Sequence, residues 1–149
     1  MWYLTGISWE RDSSGRPEAI YRIAHATSSD GIDWMRDGAE VMPVVEEHEC
    51  HAGQALMKLG SLWHMWFSYR RGLDFRNKEG GYRLGYAYAH DLLTWTRDDA
   101  GAGIERSADG WDSEMICYPS ITRVGEKTFM FYCGNYFGRD GFGCAELVS

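Results

Sequence analysis

The sequence predicts an all-β chain, a partial β-propeller of about two and a half four-stranded antiparallel blades. Three observations predict it: a long internal repeat, an aromatic- and glycine-rich composition, and short strand-like runs separated by tight-turn signals. Of 149 residues, 44% are hydrophobic and 15% aromatic, with 18 Gly and only three Pro. That content suits short packed strands better than helices.

The repeat comes first, because a missed period misassigns a whole fold. Tyr21 to Asp37 aligns with Tyr82 to Asp98, and seven of the 17 positions are identical. A second pair, Glu49 to Tyr69 with Glu114 to Gly134, lies at an offset of 65 residues. In it Glu49 meets Glu114, Gly60 meets Gly125, and Met65-Trp66-Phe67 meets Met130-Phe131-Tyr132.

Within a unit the elements follow in order. Gln54 to Leu59 reads as a first strand, closed by the Gly60-Ser61 hairpin signal. Leu62 to Tyr69 is aromatic and Met-rich, as a strand covered on both faces should be. A polar loop, 70 to 81, leads to a third strand, Tyr82 to Ala89, in which Gly85 marks a place where neighbouring backbones approach. A turn at 90 to 93 precedes a short outer strand, Thr94 to Arg97. Trp2 to Ser8 corresponds to a second strand and Gly141 to Leu147 to a third. The expected units are therefore an incomplete blade at 1–46, a complete one at 47–110 and an incomplete one at 111–149. Edges left open in this way demand a cover, and a homodimer that completes the propeller is expected to supply it.

Composition narrows the function classes. With 15 basic and 22 acidic residues the net charge is −7, and no basic stripe argues for nucleic acid or an anionic membrane. The start, Met1-Trp2-Tyr3-Leu4, lacks the basic and apolar regions of a signal peptide, and no run approaches the ~20 apolar residues of a membrane span. The four cysteines (Cys50, Cys117, Cys133, Cys144) show no CxxC spacing. They read as reduced core thiols of a cytoplasmic protein.

Ser28 to Trp34, Ser-x-Asp-Gly-x-x-Trp, resembles the blade signature of the five-bladed propeller glycosidases, the arabinanase, invertase and levansucrase relatives of glycoside hydrolase families 43, 32 and 68. The runs Gly110 to Ser120, Met130 to Gly138 and Gly141 to Gly143 resemble the same superfamily. The likeness extends over the chain but only about half of such a propeller. In the signature, Asp30 and Asp91 are expected to accept backbone N–H bonds, and Trp34 and Trp95 to pack between blades.

The resemblance implies carboxylates facing a central funnel, one donating a proton to the leaving oxygen. By position, Glu114, just before an innermost strand, matches the general acid. Glu49 is its equivalent one unit earlier, and Asp112 is near enough to modulate it. No segment matches the motif of the family's catalytic base. His51, Arg70, Arg71, Asn135 and Tyr136 are candidates to contact a carbohydrate ligand. His48-Glu49-Cys50-His51 carries metal-ligand types, but strand alternation keeps the four from converging, with only Glu49 and His51 sharing a face. Neither a metal nor a cofactor is expected. Two functions stand open: a glycoside-hydrolase-like enzyme, or a sugar-binding or assembly module that keeps the fold without turnover.

Overall fold

A computed structural model describes residues 1–148. Ten strands form three antiparallel sheets. The first holds β1 (Trp2–Arg11), β2 (Pro17–Thr27) and β3 (Met35–Arg36) in sequence order. The second holds β4 (Cys50–Leu59), β5 (Leu62–Arg70), β6 (Arg83–Ala89) and β7 (Thr96–Arg97). The third holds β8 (Cys117–Val124), β9 (Lys127–Cys133) and β10 (Phe142–Glu146). These are partial propeller blades: one of four strands between two of three. The innermost strand of the middle sheet starts at Cys50, four residues before the alternation begins, and the outer strands shrink to two residues each. No helix among the described residues is long and apolar enough to cross a membrane.

Alternation on β5 explains the stacking. Met65 and Phe67 face the first sheet, where they bury Ile23, Met42 and Trp95 with Trp2 alongside. Trp66 faces the third sheet and packs with Leu84, Ile116, Met130 and Tyr132. A strand covered on both faces can carry apolar residues on each, and Met65-Trp66-Phe67 does. Gly85 serves a different purpose from the expected backbone approach. A β-carbon there would lie 2.5 Å from the Phe67 ring and 2.9 Å from Asp99 Oδ1, so the glycine makes room for a side chain.

The turn signature folds alike in both copies. Asp30 Oδ1 accepts from the N–H groups of Ile32 and Asp33 (2.8 and 2.9 Å), and Asp91 Oδ1 from Leu93 and Thr94 (2.9 and 2.7 Å). The tryptophans diverge. Trp95 is 7% exposed between the first two sheets, whereas Trp34 is 42% exposed on the outer face of the first sheet. Trp34 therefore does not pack between described blades. The cysteines diverge as well: Cys50 and Cys117 are buried, Cys133 is half-buried and Cys144 is exposed.

The two inner strands carry matched irregularities. The β4–β5 register slips between Ala52 and Ala55, and the β8–β9 register between Cys117 and Ser120. At each bulge one residue takes a left-handed conformation: Gly53 (φ +52°) and, 65 positions later, Tyr118 (φ +54°). Glycine adopts it freely, while tyrosine is strained there. The bulges meet, since a β-carbon on Gly53 would lie 2.8 Å from Tyr118 Cδ1, and Tyr118 N–H donates to Ser68 Oγ at 2.7 Å.

Candidate functional site

The residues before each inner strand are held by the preceding sheet. Arg22, on β2, donates through Nη1 to the Glu49 carbonyl. Arg83, on β6, does the same to the Glu114 carbonyl at 3.2 Å. These arginines belong to the Tyr-Arg pair that is identical in both repeats, so the identity records an inter-sheet clamp. The tyrosines beside them, Tyr21 and Tyr82, meet through their hydroxyls.

Glu114 stands in a turn pinned from several sides. Asn135 Oδ1 accepts from the N–H groups of Glu114 (2.7 Å) and Met115 (3.1 Å), while its Nδ2 donates to the Gly110 carbonyl at 3.0 Å. Arg106 joins Arg83 on the Glu114 carbonyl, also at 3.2 Å. Trp111 stacks on Tyr132 at 5.6 Å between ring centres. It fills a slot in which β-carbons on Gly134 or Gly143 would collide with its ring. All this immobilises the backbone around one side chain. The Glu114 carboxylate itself is half-buried and has no hydrogen bond or ion pair among the described residues.

Glu49 occupies the equivalent place with a different environment. Its side chain is 0% exposed, and Arg97 binds both oxygens, at 2.6 and 3.3 Å. His51 Nε2 lies 2.7 Å from Oε1, so strand alternation does bring Glu49 and His51 together. Burial pushes the Glu49 carboxyl upward, but hydrogen bonds from His51 and Arg97 and the Arg97 charge outweigh it and hold its pKa at about 2. Burial also lowers the His51 pKa and favours the neutral ring. A neutral ring donating from Nε2 leaves Nδ1 as an acceptor, and Nδ1 is buried without a partner. A carboxylate locked this way has no proton to donate near neutrality. Glu49 and His51 thus form part of the packing between sheets, with neither side chain exposed.

Other candidates are also spent on structure. Arg70 is 1% exposed, donates to the carbonyls of Gly72 and Ala19, and lies over the Phe75 ring at 4.1 Å. The Asn135 amide is consumed by the turn that it braces. Asp112 is 4% exposed, with Oδ2 3.4 Å from the Tyr132 hydroxyl and Oδ1 unpartnered. Two candidates remain accessible. Arg71 is exposed and paired with Glu46 at 3.3 Å, and Tyr136 is 42% exposed with Arg139 over its ring. Tyr136 and Phe137 are both left-handed (φ +52° and +61°). Phe137 stacks on Tyr118, and both rings contact Tyr82, which makes an aromatic wall beside the inner strand of the third sheet.

Solved structures with this arrangement decide the fold. A glycoside hydrolase superposes with a TM-score of 0.71 at 20% identity, over 99% of this chain and 40% of its own. A thermostable family-43 glycoside hydrolase gives 0.65 at 17% identity, over 98% and 55%. The Bombyx mori GH32 beta-fructofuranosidase gives 0.64 at 15%, over 97% and 30%. The chain has the fold of a partial glycoside hydrolase propeller. At such identities the likeness speaks to the fold of this propeller and leaves its chemistry to its own residues. No family model matches it. The propeller is 32% identical over 148 residues to two uncharacterized proteins of Mycobacterium tuberculosis strains. The match takes in 99% of this chain and 46% of theirs, so the chain spans about half the length of the curated relatives it matches.

Sequence reasoning missed Arg97, Arg106 and Tyr118. Arg97 is one of the seven identities, but its counterpart Arg36 lies exposed on β3, so the identity alone does not mark the ion pair. Tyr118 had a findable signal: it aligns with Gly53, and glycine opposite a bulky residue in a repeat marks a special backbone position.

Proposed function

We propose that the chain is part of a carbohydrate-active propeller, with Glu114 as the group that donates a proton to the glycosidic oxygen and the exposed rings of Tyr118, Tyr136 and Phe137 as surfaces for sugar rings. One observation carries this reading: a half-buried carboxylate without a protein partner, on a turn whose backbone is fixed by Asn135, Arg83 and Arg106. A group held in place with its own chemistry unspent is suited to act on something bound. In an aryl-glycoside or glycan-hydrolysis screen, Glu114→Gln should lower turnover by roughly 10²–10⁴-fold, the usual worth of a positioned acid. Equal turnover by parent and variant would remove Glu114 from the mechanism.

A second reading, glycan binding without turnover, draws on the states of Glu49 and Asp112. Both are buried, one ion-paired and one held by Tyr132, so neither is free to act as the second carboxylate. Calorimetry separates the two readings. Sugar binding that survives in Glu114→Gln, with no turnover by the parent, favours a binding module.

The open faces carry a proposal about assembly. Trp34 is the counterpart of buried Trp95, and Phe131, 39% exposed, is the counterpart of buried Trp66. Each exposed face therefore repeats one half of a contact that the chain makes internally. We infer that the third sheet of one copy covers the first sheet of another in a homodimer. Sedimentation equilibrium at micromolar concentration should give twice the chain mass for the parent and the single mass for Trp34→Asp. A monomeric parent would refute this.

A further inference from the structure

A cavity of about 500 Å3 lies at the start of β6, next to the turn that leads into β8. Its walls are the end of β5, the 78–81 loop and the 104–108 segment, and it draws Arg71, Lys78, Arg83 and Arg106 to one place. We propose that this cavity binds an oxyanion, the carboxylate or phosphate group of a small ligand.

Among the described residues, the two central guanidiniums are satisfied by backbone carbonyls alone. Arg83 donates to the carbonyls of Lys78, Glu79, Gly81, Tyr82 and Glu114. Arg106 donates through Nη1 to the carbonyls of Lys78, Ser113 and Glu114. Neither has a carboxylate within ion-pair distance among the described residues, and Nε and Nη2 of Arg106 have no protein partner there. Carbonyls orient a guanidinium but leave its charge uncompensated, and a planar fork of free N–H groups matches an oxyanion in shape and charge. Burial, together with the neighbouring Arg106 charge, pushes the Arg83 pKa down to about 10, the direction expected for paired cations lacking a counter-charge.

Among the carboxylates on the same walls, the Glu79 charge opposes this shift without reversing it. Asp99 is committed to Arg97 at 2.8 Å, while Glu79 and Glu105 are exposed and unpaired among the described residues. The volume suits a molecule of sugar size. Because Arg83 and Arg106 both hold the Glu114 carbonyl, an anion on them would stiffen the turn that presents Glu114. The site stands on its own residues whether or not Glu114 is catalytic.

The test is a titration of the chain followed by calorimetry and thermal unfolding, with inorganic phosphate, glucuronate, or sodium chloride at matched ionic strength. A saturable response to phosphate alone identifies a phosphate-bearing ligand. Response to glucuronate alone identifies a carboxylate, and response to both establishes the shared oxyanion chemistry. Ser107→Asp sets a negative charge on the cavity wall without removing any of the arginine bonds, and should weaken binding at least about tenfold through like-charge repulsion. The proposal is overturned if neither anion acts beyond the chloride control, or if Ser107→Asp binds like the parent.

Discussion

Arg97→Met should destabilise the chain by about 3–5 kcal/mol, the cost of leaving a buried charge without its partner. Arg97 grips both oxygens of Glu49 and reaches Asp99 at 2.8 Å, so its loss strands a fully buried carboxylate. The double variant Arg97→Met with Glu49→Met should recover most of the loss, because a buried ion pair replaced by apolar groups is often near neutral. Urea unfolding of the three proteins measures the cycle. Equal stability of Arg97→Met and the parent would mean that Glu49 is solvated or protonated.

The same cluster sets an acid limit. The Glu49 pKa falls in the folded state from an ordinary 4.5 to about 2, so its contribution is complete above pH 4.5 and is lost as pH drops toward 2. His51, lowered from 6.5 by burial, works in the same direction. The unfolded ring takes up a proton that the folded one resists, so stability already declines as pH falls through 6.5. Arg97→Met, with the Glu49 carboxyl raised by burial, should flatten the acid decline below pH 4.5.

Asn135→Ala should cost about 2–4 kcal/mol and lower any activity or sugar affinity more than stability alone explains. The amide satisfies two N–H groups and one carbonyl around Glu114, and each buried group left unmade costs on the order of 1–3 kcal/mol before water relieves it. Asn135→Asp separates the roles. Its carboxylate can still accept from both N–H groups but cannot donate to Gly110, so it should retain the greater part of the stability. If Asn135→Ala unfolds within about 0.5 kcal/mol of the parent, the turn is held by Trp111 and the arginines alone.

The propeller sheets were legible because a repeat displays the same physics twice. Apolar Met65-Trp66-Phe67 and Met130-Phe131-Tyr132 mark strands paired along both edges, and Asp30 and Asp91 mark one turn. The environment around the candidate site was harder to read. Glu49 and Glu114 align perfectly, yet one is locked by Arg97 and the other is free, because the partner comes from a strand 48 residues away. Asn135 looked like a sugar contact because an amide is equally able to bind a ligand or a backbone. Only the placement of the 110–115 turn against it distinguishes the two. Trp34 shows the complementary limit: a residue that matches a buried one in sequence is exposed where no described sheet covers it.

The paired clamps, Arg22 to the Glu49 carbonyl and Arg83 to the Glu114 carbonyl, both run the same way along the chain. Through these clamps each of the first two sheets holds the entry of the one after it. Stacked units coupled to their neighbours fray from their ends, and here the two ends are unequal. Loss of the third sheet leaves the Arg22 contact whole, whereas loss of the first releases the Glu49 turn and loosens the sheet that holds Glu114. The array has a polarity, and the order in which its amide protons exchange would display it.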